Sequence, residues 1–256
     1  MFGLHNYNGS CWVNATLQAL FRLPEAQTRY GGAETFDRTN SVDASLFTIW
    51  DSKGERGLRE FFEAVRTETM PAGSDIGDSH ELFQYICDKL PFLDEMFRFK
   101  IAHSMECKSC KKQTITHESV IEFGLNAVAG KSATLAKCIG KTVEPYGVDE
   151  WTCEACKGTG AVRQQLIGTF PQCLMFHAPI SNTSIEYSSI LVMNKRKYAL
   201  SSVVCFNGGH WWTYGRDMPP GTSWYNLNDT SIREHGPKQF PVSPQMRMLI
   251  YYRVEE

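Results

Sequence analysis

Gly3-Leu4-His5-Asn6-Tyr7-Asn8-Gly9-Ser10-Cys11 puts a cysteine where a turn-forming segment runs into a helix. The Gly, Asn and Ser residues before the thiol make turns and present backbone N–H groups. After it, Val13, Leu17 and Leu20 share one helical stripe. A sulfur at a helix start is biased toward thiolate by the positive end of the helix dipole. Asn6, five residues upstream, carries an amide able to donate to an oxyanion formed on a substrate carbonyl. Free cysteines are more often small buried hydrophobes, so a nucleophile reading requires a base.

Gly208-Gly209-His210 offers one, at the start of the aromatic run Trp211-Trp212-Thr213-Tyr214. This run and Trp224-Tyr225-Asn226-Leu227-Asn228-Asp229 read as strands, bounded by Gly and Pro. An imidazole can deprotonate the thiol and later protonate a leaving amine. It needs a third group to fix its tautomer, and Asn228 or Asp229 is in sequence reach. Gly208 and Gly209 leave room for a substrate backbone to approach.

Cys107-Lys108-Ser109-Cys110 and Cys153-Glu154-Ala155-Cys156 are two Cys-x-x-Cys knuckles separated by 42 residues (153 − 110 − 1). Together they can present four thiolates at ~2.3 Å to one Zn²⁺ per chain, a tetrahedral site with no open position and so a structural one; two unrelated pairs or redox dithiols are the alternative reading. Cys87, Cys138, Cys173 and Cys205 lie in apolar surroundings and read as core, and His103 and His117 as surface or packing residues.

Four blocks resemble the ubiquitin-specific protease family. Gly3 to Leu20 is similar to its Cys box (Gly-Leu-x-Asn-x-Gly-Asn-Thr-Cys-Tyr-x-Asn-Ser-x-Leu-Gln) and Gly209 to Asp229 to its His box. Asp78-Ser79-His80-Glu81-Leu82 is similar to its Gln-Asp-Ala-His-Glu-Phe block, and Met246 to Arg253 to its last strand. The resemblance implies Cys11 as nucleophile, His210 as general base and acid, Asn228 as the orienting residue with Asp229 beside it, and Asn6 as oxyanion donor. It implies that Asp78 and Glu81 face the basic tail of the modifier, and that a four-cysteine zinc holds the tip of a β-sheet hand. Three departures stand out: Asn8-Gly9 inverts the family's Gly-Asn, Gly77 replaces a Gln, and Asn228 stands where many members have Asp.

The expected architecture is α+β and papain-like: a helical thumb over residues 1–98, zinc-ribbon fingers over 99–165 and an antiparallel palm over 166–256, forming one catalytic domain. Helices are expected at Val13–Arg22, Leu58–Arg66 and Ser79–Leu90, the last with Asp78 and Glu81 as a capping box. The activity implied is cysteine isopeptidase cleavage after the C-terminal Gly of ubiquitin or a ubiquitin-like modifier. A viral papain-like polyprotein protease shares the same triad logic. A catalytically weak modifier-binding module is the alternative of another class, and Cys11, His210 and Asn6 argue against it. The chain is short for the family, as a minimal catalytic domain or a viral or bacterial version would be.

Composition fits this reading. The 256 residues are 42% hydrophobic and 12% aromatic, sufficient for a sizeable core, and a formal charge of −2 gives no reason to expect nucleic acid. No apolar run approaches the roughly 20 residues that span a bilayer, and the first residues lack a basic, then apolar, secretory pattern. Nine cysteines then point to a reducing compartment. The expectation is a monomer in the cytoplasm, with the nucleus also open to it.

Overall fold

The structure, a computed structural model, describes residues 1–254 except 33–34, 71–73, 75, 127–131, 180–183, 219, 222 and 237–240. Six helices come first: α1 (Cys11–Leu20), α2 (Pro24–Gly31), α3 (Ser41–Asp51), α4 (Leu58–Thr69), α5 (Ser79–Lys89) and α6 (Pro91–Phe97). Pro24 and Pro91 open their helices where a missing N–H costs nothing. Asn40 caps α3 by accepting from the N–H groups of Val42 and Asp43, and Asp78 caps α5 by accepting from that of His80 at 2.7 Å. Glu81, expected to complete a capping box there, is exposed on the first turn of α5.

Strands β1 (Phe99–Cys107) and β2 (Gln113–Val120) form a hairpin that closes on the first knuckle. After β3 (Phe123–Gly124), β4 (Ser132–Thr134) and α7 (Leu135–Val143), a second hairpin of β5 (Tyr146–Thr152) and β6 (Thr159–Ile167) closes on the second knuckle. The four long strands make one antiparallel sheet, ordered β2-β1-β6-β5. Pairing of Cys107 with Ala161 across β1 and β6 brings both knuckles to the same end.

The rest of the chain adds β7 (Cys173–His177), β8 (Ser184–Glu186), β9 (Ile190–Met193), β10 (Arg196–Phe206), β11 (Trp211–Gly215), β12 (Trp224–Asn228), β13 (Ser231–Gly236) and β14 (Met246–Val254). The larger sheet runs β13-β12-β11-β10-β14-β7-β3, with β9 also on β10, and β4 pairs with β8 separately. Strand β3 joins the larger sheet in parallel with β7, and β4 pairs with β8, so neither belongs to the sheet that carries the knuckles.

The larger sheet is buried on both faces. Cys173, Met175, Val204, Met248 and Ile250 pack toward the helices, while Leu174, Phe176, Val203, Cys205, Leu249 and Tyr251 fill a second core. This alternation gives β7, β10 and β14 their near-continuous apolar runs. Helix α1 lies between the helical lobe and the sheet, and all ten of its residues are buried, not only the predicted stripe. Burying side chains of the size of Leu17 or Phe21 contributes ~1.5–3 kcal/mol each. Two sheet hydroxyls tie α1 down: Thr213 Oγ1 donates to the Ala15 carbonyl at 2.7 Å, and Ser202 Oγ to that of Ala19 at 3.4 Å.

Candidate active site

Cys11 is the first residue of α1 and is buried. The loop ahead of it is self-braced: Asn6 Oδ1 accepts from the N–H groups of Gly9 at 3.1 Å and Ser10 at 3.0 Å, and Ser10 Oγ from that of Tyr7 at 2.8 Å. Asn8 and Gly9 both adopt left-handed backbone, φ +46° and +94°. Gly and Asn are the residues that tolerate this region best, so the inverted order leaves two tolerant residues at the same turn.

The bias toward thiolate expected from the helix start is opposed by burial. Burial is the largest influence on Cys11 and raises its pKa above the ordinary thiol value, and the Asp229 carboxylate pushes the same way. The backbone N–H groups of Trp211, Trp12 and Cys11 itself oppose the shift without overcoming it. At neutral pH burial thus favours the thiol form.

His210 sits just before β11, held by an Asx turn in which Asn207 Oδ1 accepts the N–H of Gly209 at 3.1 Å and of His210 at 2.9 Å. Gly208 has φ +98°, a conformation that calls for glycine, and an added Cβ at Gly208 or Gly209 would meet open space. His210 Nε2 lies 2.8 Å from Asn228 Oδ1. A carbonyl oxygen only accepts, so this contact places the proton on Nε2 and leaves the Nδ1 lone pair free to act as base.

Asp229 occupies the turn between β12 and β13 with φ +51°, which Asp adopts more readily than most residues. Its Oδ2 accepts from Asn6 Nδ2 at 2.9 Å and lies 3.9 Å from His210 Nε2, while its Oδ1 accepts from Asn14 Nδ2 at 2.7 Å. One carboxylate therefore links the imidazole to the loop that carries the sulfur. The sequence reading missed Asn14, which also donates to the carbonyls of Leu4 and His5 and is 1% exposed. Its signal was a polar residue inside the apolar run of the Cys11 helix.

Asp78 lies at the N-terminus of α5, next to α1; Ser79 Oγ donates to the Trp12 carbonyl at 3.0 Å. Gly77 has a steric reason to be glycine. A Cβ there would lie 2.4 Å from the Trp12 indole, the large ring that stands where the family pattern has Tyr.

The four knuckle sulfurs converge. All lie within 4.8 Å of one another, with Cys107–Cys156 at 3.7 Å and Cys110–Cys153 at 3.8 Å. A tetrahedron with ~2.3 Å Zn–S bonds has edges of about 3.8 Å. Backbone N–H groups reach the sulfurs too, Cys110 N to Cys107 at 3.5 Å and Gly158 N to Cys156 at 3.4 Å. The N–H of Cys110 draws the Cys107 thiol down to about 6 and that of Cys156 lowers Cys153, while the neighbouring sulfurs hold Cys110 up at about 11, as thiols sharing protons at close range do. The donor set fits one structural Zn²⁺. The remaining cysteines behave as core: burial pushes Cys87, Cys138, Cys173 and Cys205 up, the last to about 12.

Comparison with known proteins agrees with this geometry. Solved structures share the fold over the whole chain. One is a chain of the SAGA DUB module Ubp8/Sgf11/Sus1/Sgf73 bound to monoubiquitin, with TM-score 0.82 and 16% identity, covering 100% of this chain and 69% of that one. Another is a chain of the same module bound to ubiquitin aldehyde, at 0.78 and 17%, covering 100% and 70%. A third, from the yeast module with an altered Sgf73, stands at 0.77 and 16%, covering 100% and 69%. No curated protein sequence matches significantly. The family model described as ubiquitin carboxyl-terminal hydrolase matches residues 2–251, and the chain belongs to that family of thiol-dependent deubiquitinating hydrolases.

Proposed function

We propose that Cys11, His210 and Asn228 form the catalytic triad of a ubiquitin isopeptidase, with Asn6 as oxyanion donor and Asp229 holding both together. The observation that carries the assignment is the 2.8 Å contact from His210 Nε2 to Asn228, which frees Nδ1. As Cys11 attacks the C-terminal Gly carbonyl, Nδ1 takes the thiol proton, and the carbonyl electrons move onto the oxygen. The oxyanion is met by Asn6 Nδ2, whose second hydrogen is not used on Asp229. Collapse expels the lysine amine, protonated by His210, and leaves a thioester. Water, deprotonated by His210, then releases the modifier and returns the proton to Cys11. Because burial favours the thiol form, proton removal belongs to the attack itself.

The resemblance assigns Asp78 and Glu81 to the arginines of the modifier tail, where carboxylates make bidentate pairs. Asp78 meets this with one oxygen already committed to the helix cap. Gly208 and Gly209 line the approach to His210. Ubiquitin is the modifier read here, a choice supported by the family and by the ubiquitin-bound neighbours. We read the protein as a monomer, and as acting in the cytoplasm; the compartment is supported by nine cysteines outside any disulfide.

The test is a panel of C-terminal electrophile probes on ubiquitin and ubiquitin-like modifiers. The ubiquitin probe should label Cys11 and none of the other cysteines, and Cys11→Ala should lose turnover while still binding ubiquitin. Full turnover by Cys11→Ala would overturn the assignment, and capture by a different modifier alone would overturn the substrate.

A further inference from the structure

Outside both sites, three further donors gather between the helical lobe and the larger sheet. His80 is on the first turn of α5, His177 ends β7, and Glu122 lies just ahead of β3. One ligand atom from each lies within 4.8 Å of the others, and all three side chains are partly buried. His80 Nε2 bonds Glu122 Oε2, while Gln84 Nε2 donates to Glu122 Oε1 at 3.2 Å. The two imidazoles stack with centroids 3.7 Å apart and planes 11° from parallel.

We propose that His80, Glu122 and His177 form a second metal site, for a divalent transition ion of the Zn²⁺ class, that clasps the helical lobe to the sheet. Two imidazoles and a carboxylate are a donor set that Zn²⁺ takes with a water in the fourth position. Calcium and magnesium prefer all-oxygen sets. His177 is partly buried and faces the His80 ring across the stack. The other charges facing it are Glu122, Asp78 and Arg247, two carboxylates against one guanidinium. Parallel rings aim their in-plane lone pairs side by side. Reaching the ~2.0–2.1 Å of a Zn–N bond requires the two rings to fan apart about their χ angles. Glu122 would exchange its bond to His80 for the ion and keep the one from Gln84.

Binding here adds a ligand that the unfolded chain does not assemble, so it stabilises by mass action. The inference concerns metal uptake and is independent of the triad assignment. The test starts from protein carrying zinc in its four-cysteine site, titrated with ZnCl₂ and followed by calorimetry and elemental analysis. The expected result is a second equivalent per chain, with Tm higher by about 5–10 °C at a hundredfold excess over Kd. His177→Gln and Glu122→Gln should each lose the second equivalent and the Tm shift while keeping the first. Should either variant fold poorly, CoCl₂ added to the zinc-loaded native protein gives an independent reading. A nitrogen–oxygen site shows d–d absorption without a thiolate charge-transfer band. A native stoichiometry that stays at one, a second equivalent retained in both variants, or a cobalt spectrum with only thiolate charge transfer would overturn the proposal.

Discussion

Asp229 is the residue on which the candidate chemistry turns, because its carboxylate, carried by the sheet, ties the Cys11 loop and helix to the side on which His210 stands. Asn14 holds Oδ1, Asn6 holds Oδ2, and His210 stands 3.9 Å away. Asp229→Ala frees both amides, and we expect kcat to fall by about 10²–10³, the scale of a lost oxyanion donor. Asn14→Ala removes one hydrogen bond to a charged acceptor and should lower kcat about tenfold with little change in KM. Kinetics on a ubiquitin C-terminal amide reporter check both, and a change in KM alone would mean that Asn14 only holds the fold. Asn228→Ala should cost less than loss of His210, since it fixes a tautomer without adding charge. The burial of the Cys11 thiol has its own consequence. A raised pKa means less thiolate at neutral pH, so alkylation of resting Cys11 should be slower than that of free cysteine at pH 7.5. Its rate should keep climbing with pH past the usual thiol value of about 8.5. Mass-spectrometric mapping on zinc-loaded protein resolves Cys11 from the rest; a rate that levels off near neutral pH would contradict the structure.

Among the elements, α1 is where packing and chemistry meet. Its buried surface is fitted to α5 through Gly77, whose missing side chain admits the Trp12 indole. Gly77→Ala overpacks this contact and should destabilise by ~1–3 kcal/mol, read as a Tm lower by about 2–4 °C per kcal/mol. Turnover should fall as well, because Trp12 directly follows Cys11. Trp12→Tyr, the smaller ring of the family pattern, should make Gly77→Ala cheaper; an additive double variant would show that the two residues are not coupled.

At the scale of the molecule, two hydrophobic cores share the larger sheet, while the β2-β1-β6-β5 sheet reaches away from them to its knuckles. That sheet has exposed strands: every residue of β2 except Val120 faces solvent. Its tip depends on metal instead of apolar burial. Chelation of the four-cysteine zinc should therefore unfold this sheet before the helical lobe. Hydrogen exchange would show lost protection in β1, β2, β5 and β6 while α1 stays protected. Uniform loss of protection across the chain would mean that the sheets fold as one unit.

The residue types that do chemistry were legible without a structure, because their neighbours are local: Gly and Asn turn formers before Cys11, a glycine pair before His210, and two knuckles each closed within four residues. Helices α4 and α5 were legible for the same reason, since their buried residues recur at helical spacing. Helices α2, α3, α6 and α7, and strands β8, β9 and β13, were not recognised. Strand β10 carries no alternation that would mark it in the sequence, because a sheet buried on both faces erases it. Long-range geometry decided the rest. The pKa of Cys11 depends on how deeply α1 is covered, and the roles of Asn14 and Asp229 on a contact spanning 215 residues. The cluster of His80, Glu122 and His177 draws on three elements that only the packed lobes bring together. Local sequence sets turn chemistry, helical period and donor type; burial and long-range juxtaposition exist only once the chain is packed.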